Sequence, residues 1–159
     1  MSVVDAQQEL LYTAQWEAFK GTEVNAALSG TECIGFNKTL FSRAVAKGYW
    51  LGSYVPQIYM KATLGEYAGI AYYSFGKVEG AHIELTSNGK RGWIIAHEAA
   101  HIILCAGRPM HKRFEPHGAE YAAVYIWAIS ALFGTKWSNR LKRAFAEARI
   151  QATCSLKED

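Results

Sequence analysis

The stretch Trp93 to Leu104 is apolar except at three positions, His97, Glu98 and His101. A run this apolar, with its polar groups so spaced, predicts a buried helix, from about Lys90 to Cys105. Two histidines four positions apart on a helix lie about 40° from each other around the axis, so both rings leave one face. There they can share one metal ion, and neutral imidazole is a good ligand for Zn²⁺. Glu98 stands beside the first histidine, where a zinc enzyme needs a carboxylate to take a proton from water. His97-Glu98-Ala99-Ala100-His101 therefore has the HExxH pattern of zinc peptidases. The bland alternative is a core helix holding two hydrogen-bonded histidines.

A chain of 159 residues, half of them hydrophobic, supports one domain with a core of its own. Five Trp, nine Tyr and seven Phe argue for a packed globule and against disorder. No apolar run reaches membrane-spanning length, and the first residues lack a basic, then apolar, export signal. Cys33, Cys105 and Cys154 are odd in number and widely spaced, without a CxxC pair. They read as free thiols of a reducing compartment, so a cytoplasmic location is expected. None has the look of a zinc ligand; Cys105 follows His101 by one helical turn on the same face, yet reads first as a small buried core residue. The net charge of +3 gathers late, at Arg108, Lys112 and Arg113 and then at Lys136, Arg140, Lys142, Arg143 and Arg149. Such a run is an ordinary solvated helix face, and it also suits weak contact with nucleic acid.

Along the chain, a Ser2 cap predicts a first helix to about Lys20, with Tyr12, Trp16 and Phe19 as its buried stripe. Asn37 is the expected cap of a second helix carrying Leu40, Phe41, Ala44 and Val45 on one face and closing at Gly48. Three β-rich segments follow, Tyr54 to Met60, Ala68 to Phe75 and Ala81 to Thr86, separated by turn formers that include Gly76 and Gly80. In the third, Ile83 and Leu85 alternate with His82, Glu84 and Thr86, as in a half-exposed strand. After the metal-motif helix, Gly107-Arg108-Pro109 breaks the chain. A further helix is expected from Pro116 to Gly134. Thr135 or Ser138 caps a last one ending near Ile150.

Two histidines make half of a tetrahedral site, and a catalytic zinc takes three protein ligands and keeps one position open. His117 and Glu120 are the two candidates for the third ligand, 15 and 18 residues beyond His101. Glu120 has three readings: partner of an imidazole N–H, alternative ligand, or plain surface carboxylate. His111, in the loop between, is either an oxyanion donor or a solvated residue. His82 reads as structural, and Tyr72-Tyr73 as core-stacked or cleft-lining.

His117-Gly118-Ala119-Glu120-Tyr121 resembles the HGxx(F/Y) element that carries the third histidine of SprT-like zinc metalloproteases. From about residue 5 to 150 the chain resembles a family of small HExxH metallohydrolases of actinobacteria and their phages. The matching elements are Asp5-Ala6-Gln7 with Tyr12 and Ala14, Gly69-Ile70-Ala71-Tyr72, Ile83, the HEAAH helix, HGAEY, Phe133-Gly134 and Leu141 to Phe145. Ala99 stands where these families usually carry Leu, and Tyr121 replaces the commoner Phe. The resemblance implies His97, His101 and His117 as zinc ligands, Glu98 as base and proton shuttle, and Tyr121 as a core aromatic.

Together these readings predict a one-domain, α+β, zincin-like fold, with a three- to four-stranded sheet packed on the HExxH helix. The expected function is that of a zinc-dependent metallopeptidase cleaving peptide or protein substrates, with the third strand binding the substrate by strand addition. Two alternatives stand beside it. One is a non-catalytic binding or regulatory protein whose zinc is closed by Cys105 or Glu120, and the other is a hydrolase of non-peptide amides.

Overall fold

The computed structural model describes residues 7–51, 54–107 and 114–153. Ser2, His111, Cys154 and the basic group Arg108, Lys112 and Arg113 lie outside them. The described chain runs α1 (Gln8–Phe19), α2 (Gly30–Lys47), β1 (Gln57–Met60), β2 (Gly69–Ser74), β3 (Lys77–Leu85), α3 (Gly92–Cys105), α4 (Ala119–Phe133) and α5 (Thr135–Glu147), with short 3₁₀ turns at Glu23–Asn25 and Ser87–Gly89. The class is α+β, as the sequence predicts.

Helix α3 is the axis of the molecule. It contacts β2 and β3 on one side and α2 and α4 on others, and every residue from Ile94 to Cys105 is buried. A helix apolar all round suits that position. Gly92 at its start lies against Phe133, where a Cβ would come within 2.1 Å of the ring. Only glycine lets the end of α4 pack there.

The three strands form one sheet in the order β1-β3-β2. β3 runs parallel to β1, with Ile58 opposite Ile83, and antiparallel to β2, with Ala71 opposite Ile83. Its alternation holds: Ala81, Ile83 and Leu85 are fully buried, while His82 and Glu84 are half-exposed. His82 stacks on Tyr72 across the outer face of the sheet, with ring centroids 4.7 Å apart. Gly80, expected between strands, sits inside β3 with φ of 83°, in an irregular stretch that shifts the pairing with β2. The bulge absorbs the turn former without ending the strand. The central place of β3 overturns its expected role as the substrate-binding strand. Both its edges are occupied, so it has no ladder to offer.

Three helix boundaries also differ from expectation. Helix α2 begins at Gly30, because Ser29 and Glu32 form a reciprocal capping box. Asn37 is therefore an interior residue, 3% exposed, whose Nδ2 donates to the Pro56 carbonyl at 2.7 Å and ties α2 to the approach to β1. Helix α4 begins at Ala119 rather than Pro116, since residues 115–118 make a tight turn closed by Gly118 N–H to the Glu115 carbonyl. Helix α5 takes Gly134 as its N-cap and ends at Glu147, leaving Ser138 buried within it.

The buried stripe of α1 is Leu11, Ala14, Gln15, Ala18 and Phe19. Tyr12 is 38% and Trp16 48% exposed, so of the expected aromatic row only Phe19 is in the core. The small Ala14 and Ala18 turn inward where α1 packs on α5. On α2, Val45 is likewise at the surface while Leu40, Phe41 and Ala44 are buried. Among the described residues no helix is long and apolar enough to cross a membrane.

Candidate metal centre

His97, His101 and His117 converge, all three buried. The first two come from adjacent turns of α3, the third from the turn before α4. Nε2 of His117 lies 3.1 Å from Nε2 of His101 and 3.4 Å from Nε2 of His97. Three ring nitrogens pointing at one another form a pocket for a cation. Burial lowers the pKa of His97 and His101 well below the usual imidazole range, and the neighbouring imidazoles lower it further. Both rings are held neutral, with lone pairs available, as a metal requires.

The surrounding contacts fix the rings. Nδ1 of His97 lies 3.0 Å from Oε1 of Gln15, a side chain only 2% exposed. Since an amide oxygen can only accept, Nδ1 carries the proton and Nε2 faces the centre. Tyr121 stacks on His101 at 4.3 Å, and its hydroxyl donates to the His97 carbonyl at 3.0 Å. Gln7 Nε2 donates to the His117 carbonyl and Gln7 Oε1 accepts from the Gln151 N–H, which ties the His117 turn to both ends of the described chain. Nδ1 of His101 has no hydrogen-bond partner among the described residues.

Glu98 points from α3 toward β2 and is 9% exposed. Burial raises its pKa to about 8, against the opposing effect of a hydrogen bond from the Ala71 backbone N–H. Gly69 packs tightly beside it, where a Cβ would meet Ile94 and Leu85 at 3.0 Å and Glu98 Cγ at 3.4 Å. With His97, Glu98 lines two cavities of about 560 and 340 Å³ along β2. Tyr12 borders both, stacked on His97 with its ring edge toward His117, each at 5.4 Å between centroids.

Glu120 and Cys105 are outside the cluster. Glu120 is half-buried on α4, with no imidazole as hydrogen-bond partner. Cys105 is a free thiol that shares a hydrogen bond with the Tyr73 hydroxyl, and burial raises it to about 11. Cys33 is also a free, buried thiol. Lys136, Arg140, Lys142, Arg143 and Arg149 are all exposed, the first two against the Trp137 ring. Sequence reasoning did not find Gln15, and it gave Gln7 and Ala71 only as elements of the resemblance, with no role at the site. Gln15 had a readable signal, a polar residue on an apolar helical stripe. The Gln7 and Ala71 contacts have none, since both depend on tertiary placement.

Compared with protein-family models, with curated proteins and with solved structures, the chain matches none.

Proposed function

We propose that the chain is a zinc-dependent metallohydrolase that cleaves peptide bonds, with a zincin-like arrangement of sheet, HExxH helix and third histidine. The observation that carries this is the convergence of three buried imidazoles beside one buried carboxylate at a cleft. Tetrahedral zinc with Zn–N bonds of 2.0–2.1 Å places its ligand nitrogens roughly 3.3–3.4 Å apart. The Nε2 separations of 3.1 and 3.4 Å lie close to that spacing. His97, His101 and His117 would hold it. Three ligands beside an open cavity favour catalysis over a closed structural site, which takes four.

Zinc, when bound, supplies a Lewis acid for the carbonyl and lowers the pKa of water. Glu98 is the base. Its carboxyl, which burial holds above the usual carboxylate range, would once ionised accept a proton from water and return it to the leaving nitrogen. The outer edge of β2 is where an extended peptide would lie. The Ala68 carbonyl bonds inward to Thr86, whereas the Ala71 N–H is directed outward to Glu98. By the two-residue period of a strand, Gly69 and Tyr73 offer their backbone groups on that same outer edge.

The test is metal analysis of purified protein together with digestion of a mixed peptide library. About one zinc per chain is expected. Glu98→Gln should keep fold and metal and lose about 10²- to 10⁴-fold in rate. Unchanged turnover in that variant would overturn the role of Glu98, and folded protein that takes up no zinc would overturn the whole reading.

A further inference from the structure

The cleft is uneven in charge. Among the described residues no lysine or arginine lines either of its two cavities, although the chain carries 17 basic residues against 14 acidic ones. The larger cavity, on one side of Glu98, is bordered by Glu9 from α1 and Glu66 from the turn ahead of β2. Both are exposed, and neither forms a salt bridge among the described residues. The same cavity is lined by two rings, Tyr67, which is 50% exposed, and Trp93, half-buried, with Nε1 donating to Asn25 Oδ1 at 2.7 Å. The smaller cavity differs, with Ile70, Ala71, Tyr73 and His101 in its lining and no carboxylate but Glu98.

Aromatic walls and unpaired carboxylates in one cavity are complementary to a single kind of side chain. A lysine or arginine lays its methylene stem on ring faces and carries its charge to the acids beyond. An acidic side chain would meet two like charges in the same cavity, and an aliphatic one would leave both carboxylates unused. At about 560 Å³ the cavity lies within the range of small-ligand sites and has room for a long side chain.

We propose that the larger cavity is a specificity subsite for a lysine or arginine side chain of the substrate, close to the bond that is cleaved. Glu9 and Glu66 hold the charge, and Tyr67 and Trp93 hold the stem. This rests on the peptidase reading, because the subsite is defined by its position beside Glu98.

Binding and cleavage test it separately. Zinc-loaded Glu98→Gln protein is titrated with labelled decapeptide libraries, each with one position fixed as Lys, norleucine or Glu and the rest randomised. At one fixed position the Lys library should bind about 3- to 30-fold tighter than the norleucine library, the size expected of one or two exposed ion pairs. The Glu library should bind weakest, and the preference should shrink as salt rises. Adding Glu9→Gln and Glu66→Gln should flatten the series, and Glu66→Lys should favour the Glu library. Equal binding of the three libraries, or an unchanged Lys preference with Glu66→Lys, overturns the subsite. Wild-type digestion is read independently, with basic residues expected at a fixed distance from each cut. A Lys preference in binding without any cleavage refutes the peptidase reading alone.

Discussion

Helices α3 and α1 meet at His97 and contribute to the centre in opposite ways. α3 is buried along its whole working length, so the positions of His97, Glu98 and His101 are set by the core itself. α1 lies at the surface with one face exposed, and it supplies Gln15 to orient His97 and Tyr12 to border the cleft. The donors of the centre are thus held by packing, while the tautomer of His97 and the shape of its entrance are held by a helix that the core constrains far less. Damage to α3 should remove the chemistry, and damage to α1 should only weaken it.

The largest effects test the first half of that statement. His97→Ala, His101→Ala or His117→Ala should each abolish stoichiometric metal uptake at micromolar free zinc, and all turnover with it. Four-ligand zinc sites hold their ion with about 10–16 kcal/mol, so each ligand is worth on the order of 3–4 kcal/mol. Native mass spectrometry of the three variants checks this. Retention of one zinc by the His117→Ala protein would mean that the α3 pair binds with a different third partner.

The next largest effect concerns pH, and it belongs to α3 alone. His97 and His101 have depressed pKa values, so they contribute stability that is present above about 6.5 and is lost as pH falls. Glu98 has a raised value, about 8, so its contribution is present at low pH and is lost as pH rises toward and through 8. Below about pH 6.5 the unfolded chain binds more protons on the two imidazoles, while above about 4.5 the folded chain keeps one more on Glu98. Two imidazoles against one carboxyl make the acid loss the larger of the two below about 6.5. The metal-free protein should be most stable near pH 6.5 and melt lower on either side. Glu98→Gln should remove the alkaline loss and steepen the acid one. A melting temperature that climbs steadily from pH 5 to 8 in the metal-free wild type would contradict this.

The same contrast explains what could be read from the residues. The α3 motif is local: two candidate ligands and a candidate base within five consecutive positions, on a helix whose apolar surroundings leave it no other place. The β3 alternation was equally plain, because a half-exposed strand writes its two faces into every second residue. Strand order was not, since β1, β2 and β3 each look like a strand wherever they sit in the sheet, and it is β3 that lies between the two edges β1 and β2. The start of α2 was legible in Ser29-Gly30-Thr31-Glu32, a capping box, although Asn37 drew the attention. On α1, bulk misled. Tyr12 and Trp16 look like core residues, yet Ala14 and Ala18 let the helix pack closely and leave the large rings at the rim.

The smallest effects compare two polar side chains at the centre's margin, Gln15 and Glu120. Gln15 accepts the His97 Nδ1 proton at 3.0 Å in a buried position. Its loss leaves that N–H unpaired and the ring free to present the wrong tautomer. Partners of metal-bound histidines are typically worth about 10- to 100-fold in affinity. Gln15→Leu, which keeps the volume, should weaken zinc binding by that factor without unfolding the protein. Gln15→Glu keeps an acceptor and should restore most of the affinity, a rescue that a purely packing role would not show. Glu120 makes no such contact with the triad, so Glu120→Ala should change zinc affinity by less than about threefold, within the range of surface substitutions. Competition with a chromophoric chelator measures all three variants on one scale. A Glu120→Ala loss as large as that of Gln15→Leu would place the carboxylate at the metal and break the contrast between the helix that holds the donors and the helix that orients them.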